Sequence, residues 1–191
     1  MSLSPTTELE AVNEILTSIG EAPVNKLGSG LTDAEVAESQ LNAVSRKFQA
    51  NGWAFNIEKA MTLSPNFQGE VELPNNTLSL DEVIGEGNNL VMRGTKLYDR
   101  IKHTFTLDRA VICDITVMLP FIELPEPARS YITLKAARIF QDRMVGAADL
   151  HGYQREDEER AWFNFLTSEL EQADYNIFNN AGIQAKTYRR V

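Results

Sequence analysis

Cysteine, histidine and long apolar runs are scarce in this 191-residue chain, and each scarcity removes a class of function. A lone cysteine, Cys113, allows neither an internal disulfide nor a cysteine metal cluster. Within VICDITV it reads as a small core residue. The two histidines, His103 and His151, stand in different contexts with no cysteine nearby, whereas a zinc site needs about four converging ligands. Both read as surface residues. The longest apolar run, residues 117–122, is interrupted by Pro120 and is far too short to span a bilayer. The start MSLSPTTELE has neither a basic region nor an apolar one, so no secretory leader is expected. With 43% hydrophobic residues the chain has enough apolar material for a core. The expectation is a soluble protein made in a reducing compartment, with no membrane segment.

Motifs of catalysis and nucleotide binding are missing as well. There is no G-x-S-x-G elbow. Gly85-Glu86-Gly87 lacks the Gly-Lys-Ser/Thr of a phosphate loop, and Glu86 would repel phosphate, so it reads as a hairpin turn. Asn75-Asn76-Thr77 matches a glycosylation sequon but, without a secretory signal, is a turn. No cofactor or metal is expected. Positive charge is short too: 18 Lys and Arg face 27 Asp and Glu, a net charge of −9. Arg129, Lys135, Arg138 and Arg143 form a sparse set interrupted by Asp142, and the first two helices are too far apart for a helix-turn-helix. A surface that grips nucleic acid is therefore not expected.

What the chain does carry is helical periodicity at both ends. Thr7 with Glu10 forms a capping box ahead of Leu9, Val12, Ile15, Leu16 and Ile19, and Gly20 and Pro23 end that helix. A second helix is expected with Thr32 as its cap and Glu35 as the box partner, its Ala34, Ala37, Leu41, Val44 and Phe48 falling on one face. A third starts at Pro125-Glu126-Pro127, carries Ala128, Tyr131, Ile132, Ala136, Ile139 and Phe140, and closes at Gly146. A fourth runs from about 149 to about 175 with Trp162, Phe165, Leu166, Leu170 and Ala173 on one side. Its acidic stretch at 156–159 is read as exposed all round. Between 53 and 120 the period shortens: Trp53, Phe55 and Ile57 alternate. Segments 70–73, 77–80, 89–92, 96–98 and 111–119, separated by Pro, Asn and Gly turns, suit one small antiparallel sheet. The fold class is thus α+β: a bundle of about four helices, an inserted antiparallel sheet and an extended C-terminal arm. The boundaries are 1–52, 53–120, 121–175 and 176–191, one globular domain overall.

Two features bear on function. Paired carboxylates such as Glu156 and Glu159 are the raw material of a polysaccharide hydrolase. A charged turn on a solvated helix, however, lacks the unequal environments that split two carboxyl pKa values, and Arg160 can pair with Glu156. From residue 175 on, the chain has three bases and no acid. Ile177, Phe178, Tyr188, Arg189 and Arg190 there are candidate partner-docking residues, as apolar anchors and charge partners.

The order of segments resembles one family. AVNEILTSIGEAPV (11–24), GWAFNIEKAMTL (52–63), LPNNTLSLDEV (73–83), LYDR (97–100), ELPEPARSYITLKAARIFQDRMVGA (123–147) and EDEERA (156–161) together are similar to the tail tubular protein A family of podoviruses. That resemblance implies a non-enzymatic head-to-tail adaptor, or gatekeeper, with a helical bundle and a β-insert. It implies a twelve-membered ring below the portal protein, docking to a nozzle of tail tubular protein B type and to tail fibres. DNA would pass non-specifically through its channel, and the protein would sit in the virion after assembly in the host cytoplasm. An acidic body suits a channel that DNA slides past. The competing readings are a tail-associated polysaccharide hydrolase and a cytoplasmic helical scaffold unrelated to phage.

Overall fold

Thr7 begins the first helix as its chemistry dictates. Its hydroxyl accepts from the Glu10 N–H, and the Glu10 carboxylate accepts from the Thr7 N–H at 2.8 Å. Helix α1 spans Glu8–Thr17 and buries Ala11, Val12, Ile15 and Leu16. It closes with a Schellman pair: Gly20 donates to the Thr17 carbonyl and Glu21 to the Leu16 carbonyl. Gly20 supplies the positive φ of +83° that this closure needs. In the computed structural model, residues 5–83, 89–146 and 148–178 are described, with backbone alone at 81–82, 148–151 and 172–178. The turn at Gly85–Asn88 lies outside the described residues.

Two compact units emerge: the residues up to Ser45 together with those from Phe121, and the residues Arg46–Pro120. The class is α+β. In the helical unit α2 (Thr32–Gln49) takes Thr32 as its first helical residue and not as its cap, because the Glu35 N–H donates to the Leu31 carbonyl. Its expected stripe is buried from Ala34 to Phe48. After a 3-10 turn at Phe121–Glu123, helix α3 (Glu126–Met144) carries Pro127 in its first turn, where a missing N–H costs nothing. It buries Ala128, Tyr131, Ile132, Ala136 and Phe140. Helix α4 (Ala148–Phe178) lies against α3 through Ala161, Phe165 and Trp162, the last 5.0 Å from the Tyr131 ring.

Several expectations for the helices change. Arg129 is no surface cation. It is buried at 7% exposure and donates from Nε to the Leu124 carbonyl at 2.7 Å, from Nη1 to the Thr6 carbonyl at 2.9 Å, and from Nη2 to the Ile122 carbonyl. Glu126, one turn earlier, accepts from the Thr6 N–H and hydroxyl. The acidic turn of α4 is not exposed all round either: Glu158 faces α3, 2.5 Å from Arg138 and 3.8 Å from Lys135. Leu170 leaves the buried face and is 64% exposed. Helix α4 also continues through Asn176, Ile177 and Phe178, where irregular chain was expected, because no breaker precedes them.

The second unit holds two sheets where one was expected. Strands β1 (Ile57–Leu63), β2 (Thr77–Val83) and β5 (Val111–Val117) form an antiparallel sheet in the order β1-β5-β2, while β3 (Leu90–Arg93) and β4 (Lys96–Asp99) form a hairpin. Segment 70–73 is reduced to isolated bridges from Glu70 to Thr106 and from Glu72 to Lys96. The alternation at Trp53 and Phe55 marks a turn rather than a strand; these rings stack on Phe48 at 5.2 and 6.4 Å. Val71, Leu73, Leu97, Val111, Cys113, Ile115 and Val117 make the core, with Cys113 as the expected apolar filler.

Polar side chains supply extra backbone hydrogen bonds at the end of this sheet where β1 begins and β5 ends, and at a bulge within it. Asn56, 1% exposed, donates to the Gln49 and Val117 carbonyls and accepts from the Trp53 N–H. Gln49 closes on both backbone groups of Leu119. In β1 the register slips between Glu58 and Met61, with Ala60 at φ +51°. Asp114 of β5 fills the gap, accepting from the Ala60 N–H and the Lys59 ammonium at 2.8 and 2.7 Å.

Two outcomes follow. Arg129→Ala leaves three carbonyls short of donors and should lower unfolding free energy by about 3 kcal/mol, read by urea titration, with Arg129→Lys recovering part of it. The Ala60 N–H, then Lys59, hold the Asp114 carboxyl below its ordinary value. That stability is present above the unfolded pKa of about 4 and is lost as pH falls through the lower folded value. Asp114→Ala should therefore cost about 1–2 kcal/mol at pH 7 and progressively less in acid.

Candidate interaction surfaces

The acids that could serve hydrolysis lie on the outward side of α4. Glu156 pairs with Arg160, and Glu159 with Arg155 at 2.9 Å, with both carboxylates more than half exposed. A cleft of about 310 Å³ beside them is lined by Arg138, Arg155, Glu158 and Glu159. Each of its two acids is held by an arginine. A glycosidase needs one carboxyl kept protonated by apolar surroundings and another kept ionised, and this cleft supplies the same cationic environment to both. His103 is exposed on a turn, and the His151 side chain lies outside the described residues. Among the described residues no group of three His, Cys, Asp or Glu side chains is placed to hold a metal ion. No described helix is long and apolar enough to cross a membrane.

What the helix does present is an apolar line. Glu156, Phe163 and Leu170 are spaced by seven residues and so project from one face, opposite Ala161 and Phe165. Phe163 is 66% and Leu170 64% exposed. Helix α4 thus buries one apolar stripe and offers a second, edged by carboxylates.

The sheet unit contributes a surface of opposite sign. After β4 the chain turns through Arg100, Ile101, Lys102 and His103, all exposed. Asp99 and Thr104 close this tip with reciprocal backbone bonds of 2.9 and 3.3 Å. The Asp99 carboxylate accepts from the Ile101 and Lys102 N–H groups at 2.8 Å each, which lowers its pKa, the Lys102 bond contributing most. His103 takes φ +54° to complete the turn. Two cations, Arg100 and Lys102, therefore flank the exposed Ile101 in sequence on a fixed frame. Nearby, Arg93 lies over the Tyr98 ring at 3.6 Å.

A third projection is Phe67, fully exposed on a built loop. Asn66 Oδ1 accepts from the Gln68 and Glu70 N–H groups, both at 3.0 Å. Gly69 at φ +76° lets the loop pass Thr106, where a Cβ would come within 2.8 Å of a methyl carbon.

Of the residues expected to dock partners, Ile177 and Phe178 end α4 with side chains outside the described residues. Tyr188, Arg189 and Arg190 lie outside them altogether. Sequence reasoning overlooked the tip and the outward line. Five Lys and Arg against two Asp in residues 89–110 were the available signal for the tip. The seven-residue spacing of Phe163 and Leu170 was the signal for the line.

Comparison with known proteins gives two results. A family described as "Tail tubular protein" matches residues 9–175. A protein named Tail tubular protein A, from Klebsiella phage KP34, is 28% identical over 153 residues, covering 79% of this chain and 81% of its own.

With its acids paired and solvated, the protein incubated with capsular polysaccharide should release no reducing ends. Release that disappears in Glu156→Gln or Glu159→Gln would reverse this reading.

Proposed function

The chain belongs to the tail tubular protein family and is a structural protein of the phage tail; from that premise we propose that it is the head-to-tail adaptor between portal and nozzle. Family membership removes the reading as a scaffold unrelated to phage. The observation that carries the adaptor role is the pair of unlike exposed surfaces on one chain: the acidic, apolar line of α4 and the cationic tip after β4. A closed ring of identical subunits is built from heterologous contacts, and these require two different surfaces on every copy.

In this reading about twelve copies form a ring beneath the portal protein, the nozzle and tail fibres attach at its far side, and DNA passes through without sequence-specific contacts. Assembly takes place in the host cytoplasm and ends in the virion. The arm from residue 179, with Tyr188, Arg189 and Arg190, follows Ile177 and Phe178 and docks on an assembly partner. Its bases have no acidic neighbours in sequence to neutralise them.

Electron microscopy of the protein mixed with portal rings should show added twelve-fold density, and persistent absence of binding would remove the adaptor role. Deleting residues 179–191 should leave the melting temperature within about 2 °C of the full chain while weakening ring assembly. A large fall in melting temperature would instead place the arm in the core.

A further inference from the structure

The net charge of −9 is not spread evenly over the two units. Residues 46–120 hold eight Lys and Arg against nine Asp and Glu, close to balance. The remainder holds ten against eighteen, a formal −8. Two of those eight cations, Arg100 and Lys102, share one exposed turn after β4. Arg100, Lys102 and His103 project from the tip, and Asp99, the acid beside them, is buried at 8% exposure with its carboxylate spent on the turn's own N–H groups. Ile101, at 66% exposure, stands among the cations.

We infer that this tip docks on the outward face of α4 of a second copy of the chain, with Arg100 and Lys102 meeting Glu156 and Glu159 and Ile101 lying against Phe163. The inference rests on the ring reading and names the contact that would propagate it.

Three observations carry it. The first is charge: the α4 face is edged by carboxylates whose partners, Arg155 and Arg160, lie on the same exposed helix surface. Such surface pairs are worth little and exchange partners readily. The second is the apolar element. A surface that only met phosphate would have no use for an exposed isoleucine at its centre, whereas a protein contact gains from an apolar anchor ringed by charge. The third is preorganisation. The tip is held by the Asp99–Thr104 closure and two carboxylate bonds, so docking orders little new backbone.

The test uses full-length protein, alone at high concentration and on portal rings. Equal amounts of nitrogen-15 and unlabelled copies are treated with a carbodiimide, which couples lysine to carboxylate without a spacer. Peptides joining Lys102 to Glu156 or Glu159 are expected in mixed-isotope form. Arg100→Glu with Lys102→Glu should weaken self-association by about tenfold or more, and mixing that variant with Glu156→Lys/Glu159→Lys copies should restore it. All four positions are exposed, and circular dichroism verifies that the variants fold. Rings that form equally well from the Arg100→Glu/Lys102→Glu variant overturn this contact while leaving the adaptor role standing. Lys102 cross-links found only within one copy, or only to other segments, also overturn it. So does a variant that loses affinity for a DNA duplex but keeps wild-type self-association. A wild-type chain that never associates, even with portal present, removes the ring and this contact together.

Discussion

A guanidinium buried among backbone carbonyls sets the geometry of the helical unit. Arg129 spends its donors on Leu124, Ile122 and Thr6, three carbonyls outside the α-helices. Buried carbonyls without donors and a buried cation without acceptors are each costly, and here each cancels the other's penalty. The consequences run outward from that point. Thr6, held also by Glu126, precedes the Thr7 cap, so the start of α1 is fixed in space by the first turn of α3. Once α1 is anchored there, its Val12, Ile15 and Leu16 stripe closes the core with Ile132 and Ala136 among its members. An arginine is needed because one planar fork reaches three acceptors, which an ammonium on a flexible stem does with less geometric control.

The sheet unit solves the same problem with amides. Asn56 and Gln49 stand where the chain enters and leaves the sheet, and each offers both a donor and an acceptor to backbone that has no strand partner. Asp114 repairs the bulge at Ala60 in the same way. Short strands with few ladder bonds are thereby held in register by side chains, which is why the unit tolerates the register slips in both β1 and β2.

How far these features are legible in the sequence depends on whether the signal is local. The capping box of Thr7 and Glu10, the closure at Gly20 and the stripes of α2 and α3 are decided within a few turns, and each stands where the pattern puts it save Ile139 of α3, which is only half-buried. Arg129 could not be read, because one of its acceptors, Thr6, lies 123 residues away and nothing near it in sequence marks it as buried. Glu158 and Leu170 misled for a related reason: α4 touches α3 along one stripe, and only that contact decides which of four neighbouring acids turns inward. Strand β1 lacks clean alternation because the bulge at Ala60 shifts its phase, and segment 70–73 has strand composition but only isolated bridges. Of the candidate docking segments, residues 179–191, which lie outside the described residues, stand out in the sequence by their charge. The tip does not, since its cations are interleaved with Asp99 and Asp108, and the burial of Asp99 is a tertiary fact.

That last point changes what the net charge means. An overall −9 suggests a body that repels phosphate everywhere, and such repulsion suits a channel. Charge acts, however, over about a Debye length of 8–10 Å at physiological salt, so a partner approaching one surface feels that surface and not the sum. Even with the ionised Asp99 counted, Arg100 and Lys102 leave the tip locally cationic on a chain that is acidic overall. A subunit carrying both signs in separate places has a reason to bind its own kind head to tail that a uniformly acidic one lacks, since two copies aligned alike would set like charges together. In the proposed ring, the same segregation would place cations between subunits and leave the acidic surplus for whatever passes by.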